Sequence, residues 1–169
     1  INFKATERFV TACADAGVKQ FIYLSSIGVN GTHNEVAFTE TDTPAPKGEY
    51  AISKLNAEIA IQRICKGSNM SFVVIRPPLV YGLDAPGNIS SLVKAVRMFI
   101  PMPFGWVVNR RNFCHLDNLT SFIFECTTAK DKKNINDQVF LISDDRSMTT
   151  PQFIRTVGEM HGKKPVLIR

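Results

Sequence analysis

The chain has 169 residues, 44% of them hydrophobic, and a formal net charge of +5. That is enough apolar material for one sizeable core, which excludes a disordered chain and fits a single domain. The basic residues are scattered, the densest run being KDKK at Lys130–Lys133, so no phosphate-tracking stripe or nucleic-acid module is expected.

In chain order, NFKATERFVTACADAGV carries apolar residues at helical spacing up to a stop at Gly17, and KQFIYLSS follows as a short strand. Gly28 to Pro46 is polar and turn-rich, with Thr39 to Lys47 read as a loop and not a boundary. A long helix is predicted from about Glu49 to Lys66, ending at Gly67. SFVVIRPP reads as a buried strand halted by Pro77 and Pro78, which cannot donate to a central ladder. A helix near Asn88 to Phe99, the proline-broken IPMPFG, an extended NRRNFCHL, a helix from about Asp117 to Ala129, the strand DQVFLIS and a helix from about Thr150 to His161 complete the pattern.

Alternating helices and strands imply crossover connections and a mainly parallel sheet covered by helices, the doubly wound α/β class. Such sheets bind ligands beyond the carboxyl ends of their strands. Ser25 and Ser26 lie past one such end and Pro77 to Tyr81 past another. Cys13, Cys65, Cys114 and Cys126 have neither C-x-x-C nor metal-ligand spacing and read as small buried hydrophobes in a reducing compartment, with no metal site. No apolar run approaches the ~18 residues of a membrane span. Neither a leader nor membrane contact is expected, and a cytoplasmic protein is expected.

Tyr50 and Lys54 are four apart at the start of the long helix and so share one face. An ammonium beside a phenol favours the phenolate, the form a general base requires. The spacing alone is equally compatible with two surface residues.

Four segments together carry more. FIYLSSIGVNG, EYAISKLNAE, VVIRPPLVYG and NRRNFCHLDNL, in that order, resemble the extended short-chain dehydrogenase/reductase family, and within it the nucleotide-sugar 4-epimerases of the UDP-glucose 4-epimerase type. The resemblance implies a Rossmann-like fold and NAD as cofactor. It implies Tyr50 as the base that takes the proton from the sugar C4 hydroxyl while hydride leaves C4 for the nicotinamide. Lys54 would favour the phenolate and hold the nicotinamide ribose, and Ser26 would hydrogen-bond the same sugar oxygen, with Ser25 serving structure. By the same resemblance Pro77, Pro78 and Leu79 form the turn against the nicotinamide. Asn88 lies near the diphosphate, Pro103 and Phe104 lie on the uracil side, and Arg111 clamps the diphosphate, a role suited to a planar, always-charged fork. Where the epimerase turn has an asparagine, this chain has Pro78 and Leu79, which leaves the sugar open. His115 reads as a packing residue.

The family's Gly-x-x-Gly-x-x-Gly loop is not in the sequence. The expectation is an internal piece of a longer enzyme: the later part of the NAD-binding fold plus part of the substrate-binding region, acting on a nucleotide-diphosphate sugar, UDP-sugars first, with a homodimer expected for the whole protein. A 4-keto-sugar reductase or dehydratase, or a non-catalytic nucleotide-sugar-binding module, are the alternatives. Retention of Ser26, Tyr50 and Lys54 favours an enzyme.

Overall fold

The computed structural model describes residues 2–82 and 88–168. They group into two compact units: the chain up to Pro78 with Leu119–Ile142, and Leu79–Asn118 with the chain from Ser143 onward.

The first unit holds α1 (Asn2–Asp15), β1 (Gln20–Leu24), α2 (Gly48–Lys66), β2 (Ser71–Arg76), most of α4 (Leu116–Thr128) and β6 (Gln138–Leu141). Its sheet is all parallel in the order β1-β2-β6, with Leu24 opposite Ile75 and Arg76 opposite Leu141. The central strand is a near-continuous apolar run because helices cover a parallel sheet on both faces, and Val73, Val74 and Ile75 are fully buried. Arg76 closes that run as a buried charge.

Helix α2 starts one residue earlier than the pattern suggests. Gly48, at φ +80°, takes a left-handed conformation that favours glycine, and the chain turns there into the helix. Its inward stripe of Ala51, Ala57, Ala60, Ile61 and Cys65 is small enough for close approach to its neighbours, and Val10, Ile61, Cys65 and Met70 form a buried cluster. One residue on that inward stripe, Glu58, is charged.

The second unit holds β3 (Leu79–Tyr81), α3 (Asn88–Arg97), β4 (Arg110–Arg111), β5 (Phe113–His115), β7 (Met148–Thr149) and α5 (Thr150–Met160). Strands β3 and β5 pair in parallel, and β4 and β7 antiparallel. Residues 79–81, expected only as chain past a strand end with Leu79 in its turn, are a short strand, because Phe113–His115 supplies a partner that the local sequence does not reveal. Helix α5 opens with a reciprocal cap: the Gln152 N–H donates to Thr149 Oγ1 and the Thr149 N–H to Gln152 Oε1, with Pro151 in the first turn. The core of this unit is Val96, Met102, Phe113, Phe153, Ile154 and Val157, with the Phe113 and Phe153 rings stacked at 4.1 Å. No helix among the described residues is long and apolar enough to cross a membrane.

Candidate active site

Strand β1 ends at Leu24, and the chain leaves it through Ser25 and Ser26 into a 3-10 turn at Ile27–Val29. Ser26 caps that turn: its Oγ accepts the Gly28 N–H at 3.1 Å. The hydroxyl hydrogen itself has no acceptor among the described residues, so it remains available to a ligand oxygen. Two backbone bonds tie this loop to β2 and the proline that follows it, from Ser25 N–H to Ile75 O at 2.7 Å and from Ile27 N–H to Pro77 O at 3.0 Å.

Tyr50 stands in the first turn of α2 and is 60% exposed. Lys54, one turn on, is partly buried and reaches back over the end of β1, where its Nζ donates to Leu24 O at 2.8 Å. The ammonium lies 4.8 Å from the centroid of the Tyr23 ring and 5.9 Å from that of Tyr50. Lys54 therefore sits closest to a tyrosine that the spacing of Tyr50 and Lys54 does not reveal, because Tyr23 reaches it from a strand. Burial pulls the Lys54 ammonium below the ordinary lysine value, and the negative charge of Glu58 works against that. Burial pushes the Tyr23 phenol up, opposed by its hydrogen bond with Thr6.

Beneath these residues is a buried polar cluster. Arg76 donates from Nε to Glu58 Oε1 at 3.1 Å and from Nη2 to Glu58 Oε2 at 2.6 Å, a two-point contact, and from Nη1 to Asn30 Oδ1 at 3.0 Å. Ser25 Oγ donates to Glu58 Oε1. Asn30 Nδ2 in turn donates to Thr39 O at 3.0 Å, which holds the long loop. Sequence reasoning assigned Ser25 to structure but missed Glu58, Arg76 and Asn30. The available signals were a glutamate one turn beyond Lys54 and an arginine ending an apolar strand.

Ser26, Tyr50, Lys54, Pro77 and Pro78 all belong to the first unit, with Pro77 buried. Leu79, the first residue of β3, is exposed. Arg111 lies in β4, exposed, with no side-chain hydrogen bond or ion pair among the described residues. Its neighbour Arg110 is tied to Ser147 through Nε and Nη2. Pro103 and Phe104 are exposed beside Met102, which bridges to Leu167. Asn88 is the first residue of α3, and its side chain lies outside the described residues. The His115 ring packs edge-on against Tyr81 at 5.0 Å and its Nδ1 accepts the Asp117 N–H. Among the described residues no three His, Cys, Asp or Glu side chains converge to hold a metal ion.

The family profile described as NAD dependent epimerase/dehydratase matches residues 1–140. The UDP-glucose 4-epimerase of Vibrio cholerae is 37% identical over 161 residues, covering 94% of this chain and 48% of that protein. Among solved structures, MoeE5 in complex with UDP-glucuronic acid and NAD superimposes with a TM-score of 0.85 at 25% identity, over 99% of this chain and 56% of that one. The UDP-glucuronic acid 4-epimerase of Bacillus cereus in complex with NAD shares the fold, with a TM-score of 0.87 at 24% identity over 99% of this chain and 55% of that one. The chain thus spans about half the length of the relatives it matches.

Proposed function

The chain belongs to the NAD dependent epimerase/dehydratase family, and from that premise we propose that it carries the reacting residues of an NAD-dependent nucleotide-sugar 4-epimerase that works through a 4-keto sugar. The observation that carries the proposal is the hydrogen bond by which Lys54 Nζ reaches Leu24 O at the end of β1. Lys54 is anchored on Leu24 O, two residues before Ser26, and projects from the helix whose first turn presents Tyr50.

The donor set fits the cofactor's ribose. One of the three Lys54 N–H donors is used on Leu24 O, which leaves two for ribose hydroxyls. Bound NAD would supply a hydride acceptor that returns the same hydride, so no external reductant is consumed. Tyr50, as phenolate, takes the proton from the C4 hydroxyl, and the nearby Lys54 ammonium stabilises that negative charge. Ser26 donates its hydroxyl hydrogen to the same sugar oxygen. When hydride returned to the other face of the 4-keto sugar, Tyr50 would give the proton back. The backbone at Pro77, Pro78 and Leu79 would line the nicotinamide side of the site. Arg111, with a guanidinium unclaimed among the described residues, would grip the diphosphate, and Pro103 and Phe104 would lie on the uracil side. In this reading the first unit is the later part of the cofactor-binding fold and the second belongs to the substrate-binding region. UDP-sugars are the substrates to try first, since the V. cholerae relative is named for one.

In the whole protein, Tyr50→Phe keeps the exposed ring but removes the proton acceptor. Turnover of a UDP-sugar should fall by about 10²–10⁴-fold with NAD binding intact. Near wild-type turnover would sink the proposal.

A further inference from the structure

Ser25, Asn30, Glu58 and Arg76 take no part in the steps above, yet each is at most 4% exposed. Desolvating two charges costs several kcal/mol per ion, and an apolar pair of similar volume often stabilises a core as well or better. Stability is therefore a weak reason for the pair, and its hydrogen bonds indicate what it holds. Glu58 lies one turn beyond Lys54 and two beyond Tyr50, on the same side of α2. Its Oε1 receives the hydroxyl of Ser25, the residue before Ser26. Arg76 donates to Asn30, which closes the 3-10 turn that Ser26 opens. The turn is gripped in front at Ser25 and behind at Asn30, by a unit whose carboxylate rides on the helix carrying Tyr50 and Lys54.

We propose that Glu58 and Arg76 are positioning residues that act through Ser25 and Asn30 to hold Ser26 in register with Tyr50 and Lys54. This rests on the reading of Ser26, Tyr50 and Lys54 as the reacting set. A two-point guanidinium–carboxylate contact fixes orientation as well as distance, which an apolar contact does not. Displacing a reacting group by about 1 Å is enough to cost about 100-fold in rate.

The test uses the whole protein with NAD and a UDP-sugar it converts. Glu58→Met combined with Arg76→Met leaves no unpaired charge and should keep the unfolding midpoint, while kcat falls about 10-fold or more and KM and NAD affinity stay in place. Ser25→Ala removes one bond and no charge. It should lower kcat in the same sense and also move the NMR titration of the Lys54 ammonium, because the Leu24 carbonyl that anchors Lys54 is displaced. Wild-type kcat in a folded double variant overturns the proposal, and so does Ser25→Ala with wild-type kcat and an unmoved Lys54 titration. If the double variant does not fold, Ser25→Ala decides alone. Tyr50→Phe in parallel separates the two readings: if it retains turnover, the reacting set is wrong, whereas if it abolishes turnover while the other variants behave as wild type, only the positioning role fails.

Discussion

The two units each build a polar centre around one carboxylate, and they use different partners. Glu58, 1% exposed, is met by the guanidinium of Arg76 and the hydroxyl of Ser25. Asp144 is only partly buried and is met by neutral donors: Tyr81 Oη at 2.8 Å, Asn118 Nδ2 at 2.7 Å, and the His115 N–H at 3.2 and 3.1 Å to its two oxygens. A carboxylate cut off from water needs a countercharge, whereas one that keeps part of its hydration is held by dipoles. The direction of the Asp144 shift agrees with the second case. Burial pushes Asp144 up, but the donors from Asn118, Tyr81 and His115 outweigh it, and its pKa lies below the ordinary 3.8. Burial, then the hydrogen bond to Asp144 and its charge, push the Tyr81 phenol up to about 12.

The sharpest way to break this comparison is Arg76→Met alone. It leaves Glu58 buried without its countercharge and should cost about 3–5 kcal/mol of unfolding free energy, read by denaturant titration. A loss under about 1 kcal/mol would mean that Glu58 is satisfied by its neutral partners, as Asp144 is.

Asp144→Asn should cost less, about 1–2 kcal/mol near neutral pH, since water shares the work of the lost charge. The sign with pH follows from the lowered pKa. Stabilisation by ionised Asp144 is complete above 3.8 and disappears as pH falls through its lower folded value, so wild type and variant should converge in acid. A gap that persisted unchanged through that range would assign the effect to shape and not to charge.

Tyr81→Phe is the smallest change, removing one donor of several while the ring keeps its edge-on contacts with Phe113, His115 and Phe153. A loss of about 1 kcal/mol in a thermal melt is expected, with the Asp144 pKa rising toward its ordinary value.

The alternation of helices and strands was legible in the sequence because periodicity is local. The helix expected from Glu49 to Lys66 runs Gly48–Lys66, and the strand expected at SFVVIRPP runs Ser71–Arg76. The shared face of Tyr50 and Lys54 was legible for the same reason, since four residues make about one helical turn. Strand β3 was not, because three residues after two prolines carry no strand signal of their own until Phe113–His115 pairs with them. Nor could the sequence tell that Lys54 would turn toward Tyr23 and Leu24, or that Glu58, Arg76, Ser25 and Asn30 would meet. Those residues come from two strands, a helix and a loop, and their meeting depends on how α2 packs beside the sheet. Local pattern determined which elements form and which side chains share a helical face, because those follow from backbone geometry within a turn or a strand. Which charges meet in the interior was decided by tertiary packing alone, because a contact between residues far apart in the chain exists only once the elements carrying them have been brought together.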